Sequence, residues 1–193
     1  MLSRNIFGAN MGQYFKCINL DKQEFLEPNS DLKLHEWTTN LDESGLITTL
    51  LMDRWAGDIL VLLGEYDDSK EFNGLYEETK KNENWNIFQK ALKLFKRKEI
   101  QNLIESKKTL YLVNKSDNVY IKGSFKQISI CLPLLLRQSI EGGDGGGDIY
   151  KDYQSAGIFV GKSLYITDEK SEIEGFKDIS APVFKDAFDF YKS

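Results

Sequence analysis

The stretch YFKCIN, from Tyr14 to Asn19, has the pattern of a β-strand, and TLYLVN, from Thr109 to Asn114, repeats that pattern in the second half of the chain. Aromatic and β-branched residues dominate both stretches, and each is followed by a polar turn and a return strand, EFL or VYIKG. Asn19 and Asn114 are 95 positions apart (114 − 19), about half of the 193 residues. Each half of the chain is therefore predicted to begin with a β-hairpin.

The same order of elements is predicted after each hairpin. LITTLLM and SICLPLLL have the pattern of short buried helices, and LKLHEW before the first of them is a third short strand or the start of a helix. GDILVLLGEYDD and GIFVGKSLYITDE match as buried strands that end in acids, with Asp67 and Asp168 separated by 101 positions (168 − 67). FQKALKLFK from Phe88 and FKDAFDFYK from Phe184 match as closing amphipathic helices, 96 positions apart (184 − 88).

These matches predict an α+β fold made of two tandem hairpin–helix–strand–helix units, residues 11–106 and 107–193. The units are expected to form one compact domain about a pseudo-twofold axis, because each must bury an apolar face. The alternative is an α+β domain in which the similarities are accidental. The closing helix of the first unit is predicted to span residues 84–106, and residues 1–10 are expected to be a dispensable arm that precedes an original start at Met11.

The composition favours a globular protein with an acidic surface. The net charge is −5, which disfavours nucleic acid as a partner and favours a basic protein. The longest apolar runs are far shorter than the ~20 residues of a membrane span. The two cysteines, Cys17 and Cys131, do not make a disulfide framework, so a cytoplasmic location is expected. They are 114 positions apart (131 − 17) and His35 is the single histidine, which disfavours nucleophilic catalysis, and no catalytic residue is assigned.

Arg54, Trp55 and Asp58 are the candidate binding residues. They precede an apolar strand, where a charged and an aromatic side chain can form the rim of a pocket. The alternative is that they are solvated residues at the end of a strand, with an Arg–Asp surface pair.

The loop EGGDGGGD, from Glu141 to Asp148, is the candidate metal site. Glu141, Asp144 and Asp148 offer oxygen ligands of the kind that Ca²⁺ and Mg²⁺ prefer, although the spacing is not that of an EF-hand. The alternative is a flexible surface loop without a ligand. Apart from such a cation, no cofactor is expected.

Two stretches carry a resemblance to known proteins, MGQYFKCINLDKQEFLEP from Met11 and RWAGDILVLLGEYDD from Arg54. The chain resembles a group of small, mostly uncharacterised proteins that begin with MGQYF, continue with N-L-D-K, and later carry a W-A-G-D strand. Some of them have GGGD just before W-A-G-D, whereas here GGGD precedes AGIFVG in the second half. The resemblance implies Met11 as the natural start and implies no activity.

Two functions are predicted from these observations. The first is a non-enzymatic protein-binding module, of an immunity or inhibitor type, that engages a basic partner through acidic and aromatic side chains. The alternative is a divalent-cation-dependent ligand-binding protein or enzyme that uses the Gly/Asp-rich loop. A third interpretation is a homo-oligomeric structural module.

Overall fold

The structure is a computed structural model that describes residues 14–27, 31–39, 41–65, 67, 87–98, 107–125, 131–135 and 153–192. Its elements follow the chain in this order: β1 (Phe15–Asn19), β2 (Glu24–Leu26), α1 (Leu34–Thr39), α2 (Leu41–Leu51), β3 (Leu60–Gly64), α3 (Ile87–Leu94), β4 (Lys96–Lys98), β5 (Leu110–Asn114), β6 (Val119–Gly123), α4 (Cys131–Leu134), β7 (Leu164–Thr167), a 3₁₀ helix (Lys170–Ile173), β8 (Lys177–Asp178) and α5 (Ser180–Tyr191). The protein is a compact α+β fold, as predicted.

The strands form two four-stranded mixed sheets. The first sheet has the order β3-β1-β2-β4 and the second has the order β7-β5-β6-β8. In the first, β1 runs antiparallel to β2 and β3, and β2 runs parallel to β4. In the second, β5 runs antiparallel to β6 and β7, and β6 runs parallel to β8. The two sheets therefore share one strand order and one set of strand directions.

The two hairpins also share their register. Asn19 ends β1 opposite Leu60 of β3, and Asn114 ends β5 opposite Leu164 of β7. Both hairpin loops have four residues, and the last residue of each, Gln23 or Asn118, has a positive φ of 54° or 53°. The predicted hairpins are confirmed in both halves.

One apolar core lies between the sheets. Alternate residues of each central strand face it, Phe15 and Cys17 from β1 and Leu110 and Leu112 from β5. Helices α1, α2, α4 and α5 add side chains to the same core, which also holds Trp55 and Phe159. The buried helix predicted at LITTLLM is confirmed by α2, although α2 begins at Leu41, before the predicted cap. LKLHEW forms mainly the start of a helix, α1.

The two sheets are covered differently on their outer faces. Ile87, Phe88 and Ala91 of α3 pack on the outer face of the first sheet. Ile173 of the 3₁₀ helix packs on the outer face of the second, against Tyr111 and other residues of β5. Along the chain, α3 lies between β3 and β4, and the 3₁₀ helix lies between β7 and β8.

The structure corrects the prediction for residues 84–106. Helix α3 ends at Leu94, and Lys96–Lys98 forms strand β4, which pairs with β2. The chain leaves the helix because Lys96 N–H donates to the carbonyl oxygen of Gln23 at 2.8 Å, next to the first hairpin.

One predicted match between the halves is also wrong, and another holds with a different separation. FQKALKLFK lies in α3 and β4, whereas FKDAFDFYK lies in α5 after β8, so the two stretches do not occupy equivalent places. The third strands match at Leu60 and Leu164, a separation of 104 (164 − 60) instead of 101, because both residues pair with the last residue of a central strand.

Candidate functional site

The turn before β3 holds the three predicted binding residues beside the first hairpin. Trp55 is fully buried, and its indole N–H donates to Oε2 of Glu24 at 2.9 Å. The Arg54 guanidinium donates to both carboxylate oxygens of Glu24, at 3.2 Å from Nε to Oε2, and a second bond joins Nη2 to Oε1. Gly57 has a φ of 87°, a conformation that glycine adopts without steric cost, and it turns the chain into β3.

Glu24 is held in its charged form. Burial alone would raise the pKa of this carboxyl, but hydrogen bonds from Arg54 and Trp55 and the positive charges of Arg54 and Lys98 outweigh that effect. The pKa of Glu24 therefore lies below its ordinary value.

Asp58 belongs to a second cluster at the same turn. Its Oδ2 accepts a hydrogen bond from Nδ2 of the buried Asn19 at 2.7 Å and forms an ion pair with the Lys22 ammonium. The Asn19 side-chain oxygen accepts from the backbone N–H of Lys22 at 2.9 Å, and Asp21 accepts from the N–H of Ile59 at 2.7 Å. The first hairpin is thus bonded to the turn through both clusters.

The structure brings Arg54, Trp55 and Asp58 together, but their bonds are internal. Trp55 has no exposed surface, and the side chain of Asp58 is 12% exposed, whereas that of Arg54 is 48% exposed. The observed role of the three residues is to join β3 to the hairpin. A binding role for them stays a prediction, and Arg54 is the member that solvent reaches.

The second sheet has a cluster equivalent to that of Asn19, Lys22 and Asp58, but the positive and the negative residue have exchanged places. Asn114 is buried, its Nδ2 donates to Asp117 at 2.8 Å, and its oxygen accepts from the N–H of Asp117 at 3.2 Å. Lys162, which precedes β7, forms an ion pair with Asp117 at 3.0 Å. Lys22 and Asp117 hold equivalent places in their hairpins, as do Asp58 and Lys162 before the third strands.

A cleft lies on the outer face of the second sheet, between β6 and the 3₁₀ helix. It has a volume of about 340 Å³. We call it the tyrosine cleft, and its lining residues are Tyr120, Lys170, Ser171, Ile173 and Glu174. The Tyr120 ring packs edge-on against Tyr111, with centroids 5.7 Å apart. An aromatic wall therefore meets a charged rim.

Acidic side chains hold the hydroxyls of this tyrosine face. Burial, together with the charge of Asp178 and a hydrogen bond to it, raises the pKa of Tyr120. Burial likewise raises the pKa of Tyr165, with the charge of Glu172 and a hydrogen bond to it. The Lys115 ammonium lies 4.8 Å from the centroid of the Tyr165 ring. Protonated tyrosines next to carboxylates are thus the stable state of this surface.

The segment that forms the rim is mostly acidic. From Asp168 to Asp178 it carries five carboxylates, against Lys170 and Lys177. Asp168 pairs with Lys108 at 2.5 Å, which lowers the pKa of Asp168 through that hydrogen bond. Glu169, Glu172 and Glu174 are exposed. The sequence alone missed this cleft; the alternating tyrosines of TLYLVN and VYIKG were the available signal for a tyrosine-rich sheet face.

The predicted metal ligands, Glu141, Asp144 and Asp148, lie outside the residues that the structure describes. Among the described residues, no group of three or more His, Cys, Asp or Glu side chains is placed to hold a metal ion. Within the same residues, none of the helices combines the length and the apolar character that crossing a membrane requires.

Comparisons of the chain with protein-family models, with curated proteins and with solved structures found no match. The resemblance to the MGQYF group therefore stays a prediction. Any function must be argued from the site itself.

Proposed function

We propose that this chain is a cytoplasmic protein-binding module, of an immunity or inhibitor type, that engages a basic partner at the tyrosine cleft. Its ligand there is a lysine or arginine side chain of that partner. The observation that carries the proposal is a cleft that Tyr120 and Glu174 line together.

The dimensions and chemistry of the cleft support a side chain as its ligand. A volume of about 340 Å³ is at the lower end of small-molecule pockets and accommodates one or two long side chains. A cation is attracted both by an aromatic ring and by a carboxylate, and Tyr120 and Glu174 offer these groups together. Ile173 gives an apolar surface to the methylene groups of a lysine or arginine.

The charge around the cleft supports a basic partner. The whole chain has a net charge of −5, and the segment from Asp168 to Asp178 has three more acids than bases. Such a field attracts a basic surface at long range and increases the association rate. Lys170 on the rim is exposed, so its flexible side chain can turn away from an incoming cation.

The variant Glu174→Gln is expected to weaken the binding of a short arginine-rich peptide by about fivefold, because it removes one charge-assisted contact. The binding is measured by NMR titration of the isotope-labelled protein. Asp53→Asn is the matched control, because it also removes one negative charge but lies in the turn before β3.

The two variants distinguish binding at the tyrosine cleft from attraction by the overall negative charge of the protein. We expect Asp53→Asn to change the affinity by less than about twofold, and the amide shifts of Tyr120 and Ser171 to respond to the peptide. Equal losses in both variants, or shifts spread evenly over the acidic surface, would show that the cleft is not the site.

The cation-dependent alternative predicts a different response. If the loop from Glu141 to Asp148 binds Ca²⁺ or Mg²⁺, adding the ion raises the melting temperature, because a ligand of the native state stabilises it. Replacing Asp144 and Asp148 with Asn would remove that increase, and Glu174→Gln would leave it unchanged. A melting temperature that does not respond to either ion contradicts this alternative.

We also propose that the chain is one unit duplicated about a pseudo-twofold axis, with units at residues 11–106 and 107–193. The shared strand order and the two equivalent hairpin turns support this proposal. So does the antiparallel bridge between Ile59 and Ser163, which are equivalent residues in front of the third strands and face each other where such an axis would pass.

Equivalent positions should then contribute equally to stability. Asn19→Ala and Asn114→Ala are each expected to lower the free energy of unfolding by about 1.5 kcal/mol, because each removes a buried amide with two hydrogen bonds. Urea unfolding measures both losses. A loss at one asparagine without a comparable loss at the other would argue against equivalent roles.

A further inference from the structure

We infer that the exchanged ion pairs Lys22–Asp58 and Asp117–Lys162 make each hairpin select its own third strand. Because the positive and negative residues are exchanged between the two sheets, like charges would meet if the β1–β2 hairpin paired with β7 or the β5–β6 hairpin paired with β3. The inference depends on the observed topology and does not depend on the proposed function or on the duplication.

The four charged residues occupy two pairs of equivalent places. Lys22 and Asp117 each follow the buried asparagine of their hairpin by three positions. Asp58 and Lys162 each follow a glycine of positive φ and precede by two positions the leucine that pairs with that asparagine. In each sheet, the asparagine amide donates to whichever member of the ion pair carries the carboxylate.

The backbone contacts and the apolar residues of the strands do not distinguish the two sheets, so polar side chains must do so. The bonds of Glu24 to Arg54 and Trp55 are one such difference, and the exchanged ion pairs are another. The strand orders and directions are the same, and backbone hydrogen bonds do not depend on the side chains. Both third strands present buried apolar residues, Leu60 and Leu62 in β3 and Leu164 and Ile166 in β7.

The third strands are also neighbours. The N–H of Gly57 donates to the carbonyl oxygen of Leu164 at 2.7 Å, and the N–H of Leu164 donates to the carbonyl oxygen of Asp58 at 3.1 Å. Each hairpin therefore folds close to the wrong third strand as well as the right one.

Exchange of the hairpins would bring like charges together. Lys22 would face Lys162, and Asp117 would face Asp58. The amide of Asn19 would meet an ammonium group in place of the carboxylate that now accepts its hydrogen bond. Like charges at opposed positions destabilise strand pairing, and a buried amide without an acceptor adds to that cost. The native pairing is the arrangement in which all these groups are satisfied.

The test is to give both hairpins the same charge and to place the opposite charge before both third strands. The double variant Lys22→Asp/Asp58→Lys keeps opposite charges within the first unit but makes its hairpin electrostatically compatible with β7. We expect it to unfold at nearly the same urea concentration as the native chain. After dilution from urea, we expect the fraction that refolds into exchanged monomers or dimers to rise about fivefold, as a change of about 1 kcal/mol in selection produces. Size-exclusion chromatography measures the exchanged dimers, and a second set of amide peaks in the NMR spectrum measures the exchanged monomers.

Two further variants complete the test. Asp117→Lys/Lys162→Asp gives the second unit the polarity of the first, so it should misfold to the same extent by the same route. The quadruple variant reverses both units, restores the difference between them, and should refold as cleanly as the native chain.

Three outcomes would overturn the inference. The first is that both double variants refold as cleanly as the native chain. The second is that the quadruple variant misfolds as much as the doubles, which would mean that the reversed charges themselves impair folding. The third is that the doubles are as unstable as the single variant Lys22→Asp, which places a carboxylate against Asp58 and should be destabilised.

Discussion

Replacing Trp55 with alanine is expected to lower the free energy of unfolding by about 4 kcal/mol, because it removes a fully buried indole from the core between the sheets. The indole has two functions. Its rings belong to the core between the sheets. The backbone N–H of Trp55 donates to the carbonyl oxygen of Leu50 at 2.7 Å, which holds the turn at the end of α2. The indole N–H donates to Glu24, so the alanine variant also deprives a buried carboxylate of a donor.

The variant Trp55→Phe separates these two functions. Phenylalanine keeps most of the ring volume but cannot donate to Glu24, so we expect a loss of about 1–2 kcal/mol. The second sheet shows that this ring is compatible with the fold, because the buried Phe159 lies at the equivalent place. There Val119 occupies the position of Glu24, and a hydrogen-bond donor is not required.

Urea unfolding followed by circular dichroism measures both losses, with the slope m as the check that the unfolded states are comparable. Phe188→Ala is the control, because Phe188 is 55% exposed and its loss should stay within about 0.5 kcal/mol. If Trp55→Ala lowers the free energy of unfolding by no more than Phe188→Ala does, Trp55 does not lie in the core.

The hairpins were predictable from the sequence because their signals are local. Alternating apolar residues, a short polar turn and a return strand lie within about a dozen positions, and the register follows from the turn. The buried strand β3 was predictable for a similar reason, since it is a continuous apolar run that ends at Gly64.

Strand β4 was not predictable because its sequence is Lys-Arg-Lys. These residues are all basic and carry no apolar alternation, and they come shortly after the amphipathic helix α3. They form a strand only because the edge of β2, some 70 positions earlier (96 − 24 = 72), offers hydrogen-bond partners. The match between FQKALKLFK and FKDAFDFYK was wrong for a related reason, since amphipathic helices share a pattern wherever they occur in a fold.

The candidate site was predictable only in part. The residue types at Arg54, Trp55 and Asp58 pointed to a cluster, but their partners Glu24, Asn19 and Lys22 lie on the hairpin and are known only from the fold. The tyrosine cleft joins β6 to a segment 50 positions later (170 − 120), and no local pattern connects two such elements.

Replacing Glu24 with alanine is expected to lower the free energy of unfolding by about 3 kcal/mol at neutral pH. The change removes the acceptor of the buried Trp55 N–H and the partner of the Arg54 guanidinium, although that guanidinium can turn to water because it is half exposed. Glu24→Gln keeps the shape and an acceptor oxygen while it removes the charge, so its cost should be about half as large.

Leu26→Ala is not a suitable control, because Leu26 lies in the core. Asp168→Asn is suitable, because Asp168 belongs to an exposed ion pair with Lys108 and its loss should be far smaller.

The charge of Glu24 also predicts how the difference between the native chain and Glu24→Gln varies with pH. Because the pKa of Glu24 is lower in the folded protein than its ordinary value of 4.5, the unfolded chain binds the proton first as the pH falls. The stabilisation is therefore fully present above about pH 5.5 and is lost as the pH falls through 4.5 toward the folded pKa. Urea unfolding of both proteins at a series of pH values should give a constant difference at neutral pH and a shrinking one in acid. If the difference stays constant down to the acid limit of folding, or grows, the bonds from Arg54 and Trp55 do not favour the charged carboxylate, and the cluster holds the hairpin through packing alone.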